Sequence, residues 1–388
     1  MRTEADVVES LKLCLGEVAD PRVAGRTWYP LDEVLVMAFI AVLCGADDWE
    51  GVTAIAEEHE AWFRQFLPLE NGVPSHDTFG RVFSLIDPED VTRKMIDWIK
   101  TFREACGGEI IAIDGKALRR SGSKKKSLKM LYTVGAWATE NGLILGQTVV
   151  DDKSNEITAI PQLLEMLSIK GCTITIDAAG CQKNIAAQIV EKKADYVLAV
   201  KGNQPTLEAD LQQVFQRGID TNFAGMKHDC TEETETSHDR REYRATHVIE
   251  LPKEFAHKAE WAKLNTMVVV LRNWQQVGAT DTDTKDHWDQ RQYISSHRFN
   301  SRVLRRAPRS HWGIENSLHW VLDVQFREDD HQLRDRKGAA NLAFLRRLAV
   351  SLLRQDTETK VGKGAKNKRL RAAANPNYVL RLIANAQF

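Results

Sequence analysis

Two short β-branched runs in this chain stop at an aspartate. Glu109-Ile110-Ile111-Ala112-Ile113 leads into Asp114-Gly115-Lys116, and Cys172-Thr173-Ile174-Thr175-Ile176 leads into Asp177-Ala178-Ala179-Gly180. Each run reads as a buried strand delivering a carboxylate to a sheet edge. Taken alone, a strand-end aspartate is as often a loop or helix cap as a ligand. Brought together, the two would make most of a site for a hard cation. A third acid, Glu315, sits in the helical stretch 310–324, which follows Pro308 and could project one side chain toward strand ends. Three carboxylates without a cysteine ligand suit Mg2+ or Mn2+, which prefer oxygen, retain waters and are completed by substrate phosphate. Two such ions roughly 4 Å apart would activate a water or a 3′-hydroxyl on one side and stabilise the leaving oxygen on the other, which is phosphodiester chemistry. The rival reading takes His311, Glu315 and His319, spaced i, i+4, i+8, as zinc ligands on one helical face. Flanking Trp312 and Trp320 favour ordinary packing for these histidines, and no HExxH arrangement is present.

A polyanionic substrate would need cations beside the acids. Lys116, Arg119, Arg120, Lys124, Lys125 and Lys126 directly follow Asp114, and Lys201 closes another strand. A charge run is usually a solvated loop, but one next to an acid cluster is better explained by phosphate contact. The net charge of -1 supplies no global attraction, so any nucleic-acid surface must be local.

The elements that must position these groups follow from periodicity. Residues 1–105 read helical, with helices over 5–18, 31–43, 49–65, 75–85 and 91–105, and the last turn before Ser75 has the spacing of a helix-turn-helix. From 109 the period changes. Strands are expected over 109–115, 128–139 and 142–152, the last two joined at Asn141-Gly142, a hairpin signal. A helix capped by Ser154 follows, starting late because of Pro161; then come the strand to Asp177, a helix over 182–193 and a strand over 195–200. Strand, strand, strand, helix, strand, helix, strand is the order of ribonuclease H-like folds, in which the first and fourth strands lie side by side. That would pair Asp114 with Asp177. The expected architecture is therefore α/β: a ribonuclease H-like mixed sheet core with a β-rich insertion and an N-terminal helical domain. Its parts are a DNA-binding helical domain (1–105), the first part of the core (106–204), the insertion (205–300), core-completing helices with the third acid (301–355) and a basic C-terminal tail (356–388).

Composition excludes little else. Hydrophobic and charged fractions of 43% and 28% are those of a globular protein. Six cysteines without a CxxC pair suggest reduced thiols and a cytoplasmic protein, and the longest apolar run, 34–46, is too short to cross a bilayer. No membrane association or targeting segment is expected.

Several stretches carry a family resemblance. Asp114 in Ile-Ala-Ile-Asp-Gly-Lys, Lys153-Ser154-Asn155-Glu156-Ile157, Thr175-Ile176-Asp177-Ala178, Lys201-Gly202-Asn203-Gln204, Tyr293-Ile294-Ser295-Ser296 and His311-Trp312-Gly313-Ile314-Glu315-Asn316 resemble insertion-sequence transposases related to the H-repeat-associated proteins of Rhs elements. Asp20-Pro21-Arg22, Gly25-Arg26 and Tyr29-Pro30-Leu31 resemble that family's associated helical domain. The match runs in order along nearly the whole chain. It implies a DDE transposase in which Asp114, Asp177 and Glu315 bind two Mg2+ or Mn2+ ions, transposon ends are nicked by water, and the freed 3′-hydroxyl attacks target DNA. Double-stranded DNA would be the partner, held by a homodimer in a synaptic complex. A catalytically silent DNA-binding relic and a plain metal-dependent nuclease are the alternatives. The Tyr, Arg and Lys that the wider superfamily often places around the glutamate are here Pro308, His311 and Leu322. DNA contacts would then fall to Arg305, Arg306, Arg309, His311 and Arg327, with Asn203 and Gln204 beside Lys201.

Overall fold

The structure, a computed structural model, describes residues 4–100, 108–123, 125, 127–150, 156–237, 240–276, 287–356, 359 and 362–384. Lys124, Lys126, Lys153 to Asn155, Cys106 and the polar loop 280–285 lie outside the described residues. The chain divides into two compact units: Met1–Ala105 with Gly115–Leu167 and Gly313–Phe388, and Cys106–Asp114 with Ser168–Trp312. Nine strands are described: β1 Ile110–Leu118, β2 Leu131–Ala138, β3 Leu143–Val150, β4 Thr173–Ile176, β5 Asp195–Val200, β6 His228–Ser237, β7 Arg240–Glu250, β8 Thr266–Gln276 and β9 His287–Ser295. Their order is β3-β2-β1-β4-β5-β9-β8-β7-β6.

In the second unit, β1 pairs with β4 and β4 with β5, both in parallel. Parallel strands are covered on both faces, and accordingly Ile110 to Ile113 and Thr173 to Ile176 are all buried. The segment read as a β-rich insertion extends this sheet: β9 pairs antiparallel with β5, and β8, β7 and β6 follow as a meander. Ile110, Val197, Val248, Val268 and Tyr293 form one core with Leu304 and Ala307 of the helix Ser301–Ile314. Strand β6, His-Asp-Cys-Thr-Glu-Glu-Thr-Glu-Thr-Ser, has no apolar alternation to reveal it. It is the edge strand, where charge is useful because it blocks pairing with another chain.

In the first unit, β2 and β3 form the hairpin expected at Asn141-Gly142, with Gly142 at φ +63° and its N–H donating to the Ala138 carbonyl at 2.8 Å. The helices Leu31–Leu43 and Arg336–Gln355 are buried almost along their whole length. The helix-turn-helix reading does not hold. Between Glu60–Phe63 and the helix His76–Leu85 lie residues 64–75, twelve in number against the three or four of such a turn. The N-cap itself is as expected, Ser75 Oγ accepting from Thr78 N at 3.4 Å. Pro161 lies inside the helix Glu156–Met166 rather than in its first turn. The region expected to be a basic tail forms two helices, Ala365–Ala374 and Asn377–Ala384. Lys368 and Arg369 are each 5% exposed, Lys368 donating to the Leu353 and Asp356 carbonyls and Arg369 to those of Gln325 and Ala46.

His331 in this unit gives a pH prediction. Its Nδ1 accepts from Leu333 N at 3.2 Å, and burial, then the nearby Arg346 charge, push its pKa down to about 4. Between the ordinary value of 6.5 and about 4 the unfolded chain binds a proton that the folded chain does not. Stability therefore falls as pH drops through that window and levels off below it. His331→Gln is expected to flatten this part of the pH profile of urea midpoints; an unchanged slope would rule the histidine out.

Candidate active site

In the second unit, the parallel register pairs Ile111 with Ile174, Ala112 with Thr175 and Ile113 with Ile176. Asp114 and Asp177 are the next residues on each strand. At one register position of adjacent parallel strands, side chains leave the same face of the sheet. The two acids are thus neighbours at the carboxyl ends of β1 and β4, and both are half-buried. Asp177 also performs the bland role considered above, its Oδ1 accepting from Gly180 N at 3.3 Å across the turn. Asn203 and Gln204, expected to contact DNA, hold this turn: the Asn203 amide donates to the Ala178 carbonyl and Gln204 Nε2 to the Cys181 carbonyl at 3.0 Å. Lys201 remains exposed.

His311 belongs to the same unit. Its Nδ1 lies 3.2 Å from Thr175 Oγ1, and Thr175 is two residues before Asp177 on the same strand face. Burial holds the imidazole below its ordinary pKa against the opposing pull of Asp177. It is a neutral hydrogen-bonding group beside the acids rather than a fixed cation. Thr175 itself gave no signal in the sequence beyond its place in a β-branched run.

The helical arginines of this unit face their own protein. Arg305 lies 3.4 Å from Asp229, and Arg309 bridges Glu233 at 2.9 Å and Glu235 at 2.7 Å, all three acids coming from β6. Arg306 is exposed. Arg291 stacks on Trp312 at 4.1 Å, which accounts for that tryptophan as packing.

In the first unit, Glu315 is exposed and opens a π-helical turn, Glu315–His319, set between the α-helical segments Ser301–Ile314 and Trp320–Gln325. Isolated π turns are rare and concentrate at functional sites. Lys116, grouped above with the DNA-contacting cations, is placed differently. It is 8% exposed, its Nζ 2.5 Å from Asp323 Oδ1, 3.6 Å from Asp329 and 3.7 Å from Glu328. Arg119 pairs with Asp329 at 3.1 Å, and Arg120 approaches Asp330 at 3.7 Å, yet both side chains stay more than half exposed. Arg327, at φ +52°, pairs with Asp330 at 3.3 Å and is also exposed, as is Lys125.

Among the described residues no three His, Cys, Asp or Glu side chains gather closely enough to enclose an ion. A magnesium site does not require enclosure, because Mg2+ keeps several waters and takes one or two carboxylates plus substrate phosphates. Asp114 and Asp177 provide such a pair. The thiol near them does not compete: burial and the Asp177 charge push Cys181 up to about 12, and a protonated thiol is no metal ligand. No helix among the described residues is long and apolar enough to cross a membrane. The five described cysteines are free thiols.

Comparison with known proteins agrees with this picture. The family described as "Transposase DDE domain" matches residues 105–352, and "DDE_Tnp_1-associated" matches residues 13–99. "Putative transposase YncI" of Escherichia coli O157:H7 is 38% identical over 97% of this chain and 95% of its own length. "H repeat-associated putative transposase YhhI" of Escherichia coli K12 is 35% identical over 95% and 96% respectively. A solved piggyBac transposase synaptic complex with hairpin DNA superposes only loosely, with a TM-score of 0.40 at 11% identity over 97% of this chain and 79% of that one. Two adjacent strand-end aspartates inside a matched segment covering more than half the chain, and relatives similar from end to end, show that this protein belongs to the DDE-domain transposases, among the H repeat-associated members.

Proposed function

We propose that the protein is an active DNA transposase with a ribonuclease H-like catalytic core, in which Asp114, Asp177 and Glu315 hold Mg2+ or Mn2+. The observation that carries this reading is the β1–β4 register, which leads two carboxylates from distant parts of the chain to neighbouring strand ends. When bound, the metal ions supply Lewis-acid stabilisation of charge on the phosphate and a nucleophilic oxygen at neutral pH. The chain's own residues do the rest. Asp114 and Asp177 fix the hard-oxygen ligands on rigid strands, so that little reorganisation is required at the moment of reaction. Glu315 supplies the third carboxylate. Neutral His311 orients Thr175 and offers a hydrogen bond without competing with the metals for the acids. Arg119, Arg120, Lys125 and Lys201, all exposed, are cations that would meet DNA phosphates. A homodimer would bring two transposon ends together.

The test supplies purified protein with DNA carrying the inverted repeats that flank its gene, Mn2+ and a target plasmid. End cleavage followed by joining to the target supports the proposal. Cleavage without joining would make the protein a metal-dependent nuclease, and neither would make it a DNA-binding relic.

A further inference from the structure

We propose that Lys116 is a positioning residue for Glu315, clamping the helical segment that carries this carboxylate; this rests on the reading given under Proposed function. The clamp has three jaws. The ammonium lies 2.5 Å from Asp323, 3.6 Å from Asp329 and 3.7 Å from Glu328, with 7% of the lysine side chain and none of the Glu328 side chain exposed. A lysine meant for DNA would keep its ammonium in water. Here it is drawn inward, and the acids that surround it lie on the end of the Glu315 helix and in the turn after it. Behind them, Glu328 also binds Arg347 at 3.2 Å, and Arg347 donates to Thr133 Oγ1 of β2 at 3.1 Å. The chain of contacts therefore runs from β1 through the lysine to the helix end, and on to the next strand.

The π turn explains why Asp323 is the residue that does this. Eight residues separate Glu315 from Asp323 (323 − 315 = 8), which in an unbroken α-helix is about 80° past two full turns. A π turn accommodates one extra residue, so the same eight advance the helix by about seven residues' worth, roughly 20° short of two turns. Asp323 thus comes onto the Glu315 face of the helix. Holding Asp323 to Lys116 fixes how the helix is rotated, and with it the direction of Glu315.

Full-length protein tests the clamp with Lys116→Met and with Asp323→Asn, which removes the shortest contact while Glu328 and Asp329 still neutralise the lysine. Amide hydrogen exchange over residues 313–325, without metal or DNA, is expected to speed up about tenfold in either variant, and no further in the double variant. In Mn2+-dependent cleavage of end DNA, kcat should fall about 100-fold with KM unchanged within twofold, because a displacement near 1 Å suffices for such a loss. Unchanged exchange overturns the clamp. Faster exchange with wild-type kcat overturns its positioning role, and a rise in KM at constant kcat would restore Lys116 to the DNA surface. Inactive wild-type protein defeats the transposase reading, and the exchange measurement then decides the clamp separately.

Discussion

Asp177→Asn is expected to lower the rate of Mn2+-dependent end cleavage by about 1,000-fold, equivalent to ~4 kcal/mol of transition-state stabilisation. The substitution keeps the side-chain volume and one carbonyl oxygen. That oxygen can still accept from Gly180 N, a contact of 3.3 Å that is weak to begin with. The fold should therefore survive, and the urea midpoint should move little. What is lost is the negative charge that, under the proposed function, neutralises a divalent cation beside neighbouring Asp114. Electrostatic stabilisation of developing charge by bound metals is worth several kcal/mol, so the loss belongs in kcat rather than in substrate affinity. Asp114→Asn and Glu315→Gln are expected to act alike. Wild-type rates in any of the three, measured on folded protein, would remove that residue from the site.

Arg347→Met carries the second large effect, on stability. The guanidinium is buried to within 2% in the middle of the helix Arg336–Gln355, donating to the Ala343 carbonyl at 3.0 Å and Thr133 Oγ1 at 3.1 Å and pairing with Glu328 at 3.2 Å. Methionine fills much of the volume but leaves Glu328 with the 3.7 Å contact to Lys116 and the nearby Arg346 charge as its compensation. Breaking one side of a buried ion pair costs about 3–5 kcal/mol, far more than the net worth of the intact pair. Equilibrium urea unfolding monitored by tryptophan fluorescence measures the loss. Adding Glu328→Met should recover most of it, since apolar residues of similar size replace buried ion pairs at little cost. A loss under 1 kcal/mol in the single variant would show that Glu328 relaxes toward water.

Legibility along the chain follows burial. The runs before Asp114 and Asp177 could be read as strands because both faces are covered, which demands β-branched residues without interruption. Strand β6 could not be read, since an edge strand with four carboxylates and four hydroxyl-bearing residues among its ten looks like a loop until its partner β7 is known. The N-cap at Ser75 was legible from the residue itself, whereas the twelve-residue connection before it was not, because Phe66, Leu67 and Leu69 continue the apolar pattern without continuing the helix. Fold order and the two aspartates were thus available from local chemistry. The roles assigned to individual cations were not.

From sequence alone came the candidate acids, the strand order that pairs the first two, and the family. Local patterns suffice for these because a strand's period and its terminating residue are encoded within ten positions. Tertiary structure decided which charges face water. Lys116, Arg346, Arg347, Lys368 and Arg369 are basic residues that the fold buries, while Arg119, Arg120 and Lys125 stay outside. Whether a charge can be buried depends on a partner that may be anywhere in the chain: Asp323 lies 207 residues beyond Lys116, and Asp47 lies 322 before Arg369. No window of sequence contains both members, so only the folded chain distinguishes a phosphate-binding lysine from one that holds a helix in place.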